Sequence, residues 1–146
     1  MGKRRKSRES TLQVLFQLEF DDSDPDDVLD QFWKGKKVSH EIKDYSVYLI
    51  KGVTSHQNTI DRIIQSASEH WRLSRMPLVD RNILRMAVFE LFYEEELAPA
   101  IVINEAIEIA KKFSSEQAAQ FINGILDALR RRSDAVREML KDNDNG

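Results

Sequence analysis

The sequence contains no cysteine, and this absence removes several classes of protein at once. Without thiols the chain cannot form disulfides, build a cysteine zinc site or use a thiol nucleophile. The absence is also compatible with a reducing compartment, and we expect a cytoplasmic protein. No apolar run approaches the roughly 20 residues that span a bilayer, and an amphipathic segment follows the basic start, so we expect neither membrane insertion nor secretion.

Proline and glycine are scarce, with three and five copies among 146 residues. The chain is instead rich in leucine, isoleucine, alanine, glutamate, lysine and arginine, which favour long helices. It shows neither the alternation of a strand nor an internal repeat. A chain of this length buries about 70% of its unfolded surface, enough for a single core. These features predict an all-α fold in one domain.

Apolar residues at helical spacing, together with capping residues, predict seven helices. Ser7 is a candidate cap for the first helix, Asp24 and Pro25 open the second, and Ser114 or Ser115 caps the last. We divide the chain into a basic amino-terminal segment (1–7), a helical domain (8–132) and a charged, frayed tail (133–146). The helices are expected at about 8–20, 25–35, 39–54, 58–69, 78–91, 99–113 and 115–132.

Motifs for catalysis are also missing from the sequence. There is no glycine-rich phosphate loop, no serine nucleophile elbow and no histidine cluster with metal-ligand spacing. His40 and Asp44 stand four residues apart on one helix but lack further ligands. We therefore predict no catalytic residue, metal or cofactor. For Glu105, on an otherwise apolar helix, we expect a partly buried link to Arg81 or Arg85 on the preceding helix.

Positive charge is concentrated at the start of the chain. The net charge is -3, yet five of the seven residues in KRRKSRE are basic. A helical wheel places Arg4, Arg5 and Arg8 near the azimuth of Leu12 and Phe16, at the end of the apolar face. Such arginines can bind nucleic-acid phosphates while an exposed aromatic ring stacks on an unpaired base. A disordered, solvated leader is the alternative that the charge alone leaves open.

Three segments further along the chain are similar to those of one known family. They are VDRNILRMAVFEL (79–91), PAIVINEAIEIAKKF (99–113) and FINGILD (121–127), and they follow the RRKSRES start. Together they resemble the NusB family of bacterial transcription antitermination factors, over about residues 4 to 130. The resemblance implies seven helices in two small bundles that form one compact domain. It also implies recognition of RNA, not catalysis.

The resemblance further implies a set of partners. Proteins of this family bind the boxA element of ribosomal RNA leader and phage antitermination transcripts together with NusE, a small-subunit ribosomal protein. The pair then joins NusA and NusG on RNA polymerase. A homodimer is left open, because an apolar helix face can serve either NusE or a second copy. Two alternatives are a purely protein-binding helical module and an accessory domain related to the amino-terminal domain of ribosomal RNA cytosine methyltransferases.

The family's functional positions fall on two groups of residues. One group lies in the basic start and the first helix, and the other around the beginning of the last helix. Phe16 and Asp80 correspond to contacts with NusE. Phe113 and Phe121 also fit the spacing of core residues, and that alternative is left open. The residues that the resemblance assigns to RNA binding are Arg4, Arg5, Lys6, Arg8, Gln13, Phe16, Phe113, Glu116, Gln117, Gln120 and Phe121.

Three of these positions depart from the family's pattern. Phe16 stands where a tyrosine is common, so a stacking face is kept while a hydroxyl is lost. Gln117 stands where an aspartate is common. Gln120 stands where a lysine is common, and the loss of that cation weakens the argument for a phosphate contact at this point.

Overall fold

The computed structural model describes residues 2–94 and 96–144, with side chains as far as Lys141. In these residues it contains only helices, so the predicted all-α class is confirmed, and none of the helices is long and apolar enough to cross a membrane. A short 3-10 turn, Leu73–Arg75, lies between the fourth and fifth helices. The helices are α1 (Gly2–Leu18), α2 (Pro25–Trp33), α3 (His40–Ser55), α4 (Gln57–Ala67), α5 (Leu78–Tyr93), α6 (Pro99–Phe113), α7 (Glu116–Arg131) and α8 (Ser133–Asp144).

The helices form two groups that share α5. Helices α1, α2 and α3 pack on one another, and a small apolar cluster that includes Trp33 fills the space between them. Helices α4, α6 and α7 also pack against α5. Because α5 contacts both groups, 12 of its 16 residues are buried, among them four polar or charged side chains. This arrangement agrees with the expected two bundles in one domain.

Two local features fix how the first group is built. Asp24 accepts a hydrogen bond from the backbone N–H of Asp26, and Ser39 accepts one from that of Ile42, so both predicted helix starts are capped by side chains. Gly52 of α3 lies against the ring of Phe89 of α5, where any Cβ would overlap the ring. Glycine is therefore what allows α3 to approach α5 this closely.

The first helix begins earlier than the sequence predicted. It starts at Gly2, so Ser7 lies inside the helix and is not its cap, and no break separates residues 1–7 from the rest as far as the described residues extend. The Ser7 hydroxyl is buried and donates to the carbonyl oxygen of Ile42 on α3 at 2.8 Å. A residue that favours a cap is used here to join two helices, because a tertiary acceptor is within reach.

The other end of the chain also differs from its prediction. Residues 133–144 form α8, so the expectation of a frayed tail is wrong for them, and residues 145 and 146 lie outside the described residues. Val136 is buried, and Met139 and Leu140 pack beside it against the main core. These three residues have the i, i+3, i+4 spacing of a single apolar stripe, which is easily missed in a strongly polar segment.

Candidate nucleic-acid interface

Arg8 is an internal residue of the basic first helix. Its Nε donates to Glu90 Oε1 on α5 at 2.8 Å, and its Nη1 donates to Glu105 Oε1 on α6 at 3.3 Å. Only 4% of its side chain is exposed. Burial acts to lower the pKa of Arg8, but the hydrogen bonds and charge of Glu90 outweigh it and the net shift is upward. A guanidinium held in this way is not available to a phosphate, so the predicted RNA contact at Arg8 is corrected to a structural role.

Arg5 shares the carboxylate of Glu105 with Arg8. It donates from both Nε and Nη2 to the two oxygens of Glu105, while about a third of its side chain stays exposed. This hydrogen bonding holds the pKa of Glu105 below its usual value. The expected buried link at Glu105 is therefore present, but its predicted partners were wrong. Arg81 and Arg85 lie instead beside Glu19, which immediately follows α1.

Arg4 and Lys6 are exposed cations of the same stretch, as is Lys3. Among the described residues, neither pairs with a carboxylate, whereas Lys3 pairs with Glu41. The guanidinium of Arg4 lies 3.7 Å from the centroid of the Tyr45 ring, a cation–π contact. The Tyr45 hydroxyl in turn donates to Glu90, and burial together with that carboxylate raises the pKa of Tyr45. Tyr45 thus stays protonated, and its ring packs against the guanidinium of Arg4.

The next turns of α1 expose one polar and one aromatic residue. Gln13 lies with Lys6 and Lys37 along a shallow groove of about 360 Å³. Phe16 is exposed and meets the ring of Phe20 edge to face, with the centroids 5.3 Å apart. The predicted Gln13 and Phe16 are therefore both on the surface, where a nucleotide can reach them.

The second predicted group lies close to the first. Lys112, at the end of α6, bonds to Glu9 of α1 at 3.0 Å and lies 5.3 Å from the centroid of Phe113. Phe113 is exposed, so its alternative as a core residue is wrong, whereas Phe121 is half-buried. The remaining predicted residues of this group are exposed on the first turns of α7. They are Glu116, Gln117 and Gln120.

Asp80, the predicted partner contact, lies below the surface at the start of α5. It lines a cavity of about 320 Å³ together with Gln117 and Phe121 of α7. Its residue exposure is 5%, and its Oδ1 has no hydrogen-bond partner among the described residues. The structure therefore brings this residue together with two predicted RNA-binding residues. Phe16, the other predicted partner contact, is not among the residues that line this cavity.

Trp71 is a surface residue that was not among the predicted site residues. Half of it is exposed, and its ring centroid lies 6.3 Å from that of Phe121 on the same cavity. It lies in the segment between α4 and the 3-10 turn, beside Arg72 and near Arg75. An aromatic residue beside arginines, in a segment between two helices, is a sequence pattern typical of proteins that stack bases of single-stranded nucleic acid.

These features define the class: an all-helical protein that presents a basic and aromatic surface on α1 and at the junction of α6 and α7. In the described residues no group of three histidine, cysteine, aspartate or glutamate side chains is placed to hold a metal ion. The model of the NusB family matches residues 5–131. The chain belongs to the NusB family.

Relatives in this family cover nearly the whole chain. The transcription antitermination protein NusB of Leptospira biflexa serovar Patoc is 42% identical over 138 residues, which are 94% of this chain and 99% of the relative. The protein of the same name from Desulforapulum autotrophicum is 40% identical over 132 residues, or 89% and 92% of the two chains. Family membership places the chain among transcription antitermination proteins and not among enzymes.

Solved structures show the same fold. NusB of T. maritima matches with a TM-score of 0.81 and 36% identity, over 88% of this chain and 90% of that one. A crystal structure of antitermination factors NusB and NusE in complex with dsRNA contains a chain that matches with a TM-score of 0.82 and 26% identity, over 90% of this chain and 98% of that one.

Proposed function

We propose that the protein is an RNA-binding antitermination factor that recognises boxA-type RNA together with NusE. The observation that carries the proposal is that the basic residues of α1 fall into buried and exposed ones. Arg8 is buried on carboxylates, while Arg4 and Lys6 project from the same helix without a carboxylate partner among the described residues. The family's name and the similarity to a chain solved with NusE and dsRNA support the same conclusion.

The physical basis is the combination of exposed cations and exposed rings. Each phosphate that Arg4 or Lys6 neutralises releases condensed counterions, which drives RNA binding at low salt. Phe16 and Phe113 expose rings on which unpaired bases can stack. The buried pairs of Arg8 with Glu90 and Glu105 hold α1 against α5 and α6, so the cations and rings are presented in a fixed arrangement.

Binding of NusE belongs to the same proposal, with Phe16 as the accessible contact. Asp80 is almost fully buried, so only a group that enters the cavity can reach it. In this proposal the RNA-bound pair joins NusA, NusG and RNA polymerase in the cytoplasm. The protein supplies recognition and assembly, and no catalytic step.

Fluorescence anisotropy with labelled boxA RNA tests this function. We expect tighter binding to boxA than to a scrambled RNA of equal length and composition, and a further gain when NusE is added. Equal affinity for the two RNAs, with and without NusE, contradicts the proposal. Binding of NusE with RNA affinity that never rises above the scrambled control would indicate a purely protein-binding module instead.

A further inference from the structure

Tyr45 of α3 connects the buried charges of the protein with its exposed basic surface. We propose that Tyr45 is a positioning residue for RNA binding, because its ring holds the guanidinium of Arg4 where that guanidinium meets a phosphate. The proposal rests on the function proposed above. It adds a residue of α3 to a surface that is otherwise built from α1 and the junction of α6 and α7. Tyr45 acts through Arg4 and does not itself contact the RNA.

The contact between Arg4 and the ring is close. The guanidinium carbon of Arg4 lies 3.7 Å from the centroid of the Tyr45 ring, so the guanidinium covers the face of the ring and not its edge. A guanidinium on an aromatic face keeps its N–H donors for other acceptors. Arg4 is exposed, and among the described residues no carboxylate pairs with it. A phosphate can therefore bind the outer side of the guanidinium while the ring occupies the inner side.

The hydroxyl of Tyr45 is anchored in the interior. It donates to Oε2 of Glu90 on α5, and the same oxygen accepts from Nη2 of Arg8 at 2.9 Å. Glu90 and Arg8 are buried, whereas Tyr45 is half-buried. Burial and the charge of Glu90 raise the pKa of Tyr45, so the hydroxyl remains a donor at neutral pH. The buried ion pair thus fixes one end of the side chain and leaves the ring face to Arg4.

A ring that is already fixed lowers the cost of binding RNA. An arginine side chain has several rotatable bonds, and immobilising such a side chain on a ligand lowers affinity by about 2- to 10-fold. When the ring holds the guanidinium before RNA arrives, this ordering takes place during folding and not during binding. The contact with the ring remains in the complex, because a phosphate needs only the N–H groups of the guanidinium.

Lys6 provides a comparison within the same helix. It is an exposed cation two residues after Arg4, and among the described residues no aromatic ring lies against its amine. The effect of Tyr45 on RNA binding should therefore be confined to Arg4. A general loss of packing between α1 and α3 would instead affect Arg4 and Lys6 alike, because both project from α1. This difference separates a positioning role from a merely structural one.

A double-mutant cycle with labelled boxA RNA tests the positioning role. We expect Tyr45→Leu to weaken binding by about 2- to 10-fold. Tyr45→Phe keeps the ring and loses only the bond to Glu90, so it should bind like the wild type. In the Tyr45→Leu background Arg4→Ala should cost less affinity than in the wild type, whereas the cost of Lys6→Ala should be the same in both.

Tyr48→Leu is the matched control. It makes the same change three residues further along α3, at an exposed ring on which no cation lies among the described residues. We expect its affinity for boxA RNA to be unchanged. A loss in Tyr45→Leu that Tyr48→Leu does not share therefore follows from the ring under Arg4, and not from the removal of an aromatic side chain from this face of α3.

Several outcomes would overturn the proposal. If Arg4→Ala costs the same in both backgrounds while the wild type still prefers boxA to scrambled RNA, the proposed function stands and Tyr45 has no positioning role. Equal coupling of Tyr45 to Lys6 and to Arg4 assigns Tyr45 to the packing of α1 alone. Tighter RNA binding by Tyr45→Leu means that the ring withholds Arg4 from phosphates. Equal affinity of the wild type for both RNAs removes the proposed function and this role with it.

If Tyr45→Leu does not fold, NMR of the wild-type chain makes the decision. The ring current of Tyr45 should shift the side-chain protons of Arg4 upfield in the free protein. We expect this shift to persist in the complex with boxA RNA, since the ring and the phosphate contact different sides of the guanidinium. Disappearance of the shift on RNA binding would show that Arg4 leaves the ring, and this contradicts the proposal.

Discussion

Arg8 of α1 and Glu90 of α5 meet inside the protein, with Nε 2.8 Å from Oε1 and 4% and 2% of their side chains exposed. Removal of one partner leaves the other charge buried without compensation. We expect Arg8→Ala to lower the free energy of unfolding by about 3 to 5 kcal/mol, measured by urea denaturation. Lys3→Ala breaks the exposed pair with Glu41 and should cost less than about 1 kcal/mol. If Arg8→Ala left the stability unchanged and weakened RNA binding, Arg8 would instead be a contact of the RNA interface.

Arg4 and Lys6 should control the salt dependence of RNA binding. Removing one cation that neutralises a phosphate of a single strand flattens the slope of log affinity against log salt by about 0.7. We expect this change for Arg4→Ala and for Lys6→Ala, measured by anisotropy over a range of salt concentrations. Lys51→Ala removes an exposed cation of α3 that pairs with Asp26 and should leave the slope unchanged. Identical slopes in wild type and all three variants would mean that the basic start does not meet phosphates.

Glu105 should make the protein sensitive to acid. Its pKa in the folded state lies below its unfolded value of about 4.3, chiefly because Arg5 hydrogen-bonds to the carboxylate. The stabilisation is therefore fully present above the unfolded pKa and is lost as the pH falls through the folded pKa. We expect Glu105→Gln to be less stable than wild type at pH 7. The difference in the free energy of unfolding between the two proteins should become smaller below about pH 4. A constant difference in the free energy of unfolding, measured in denaturation series from pH 7 to 3, would contradict this prediction. Glu138→Gln changes an exposed carboxylate of α8 and is the control.

Two glycines should respond to alanine in opposite directions. At Gly52 a Cβ overlaps the Phe89 ring, so Gly52→Ala should cost roughly 1 to 3 kcal/mol of stability. At Gly124, inside α7, a Cβ meets open space, and Gly124→Ala should stabilise by about 0.5 to 1 kcal/mol. Phe89→Leu in the Gly52→Ala background should recover part of the loss in a double-mutant cycle. Additive losses would show that the ring is not the cause.

The sequence predicted those helices whose signals are local. The Asp24–Pro25 start, the start of α3 next to Ser39 and the Ser115 cap are all present, because each depends on residues within one turn. The predicted start of α1 was wrong for the opposite reason, because it depends on a residue far away in the sequence. Ser7 has a capping side chain, but its hydroxyl bonds to Ile42, which lies 35 residues away in the sequence.

The division of the basic residues into buried and exposed could not be predicted from the sequence. The partners of Arg5 and Arg8 lie 82 to 100 residues further along the chain, and a helical wheel carries no information on such pairs. The wheel did place all three arginines at the end of the core, and the structure buries Arg8 fully, Arg5 in part and Arg4 least. Trp71 was missed because it lies outside every predicted helix.

The burial of α5 has a consequence for how the protein unfolds. Neither bundle can come apart without exposing this helix, so the two halves share one cooperative unit rather than two independent ones. A ligand that holds α1 stabilises that whole unit by mass action. RNA bound at the first helix should therefore slow amide hydrogen exchange in α4, which packs on α5 and carries none of the proposed RNA contacts.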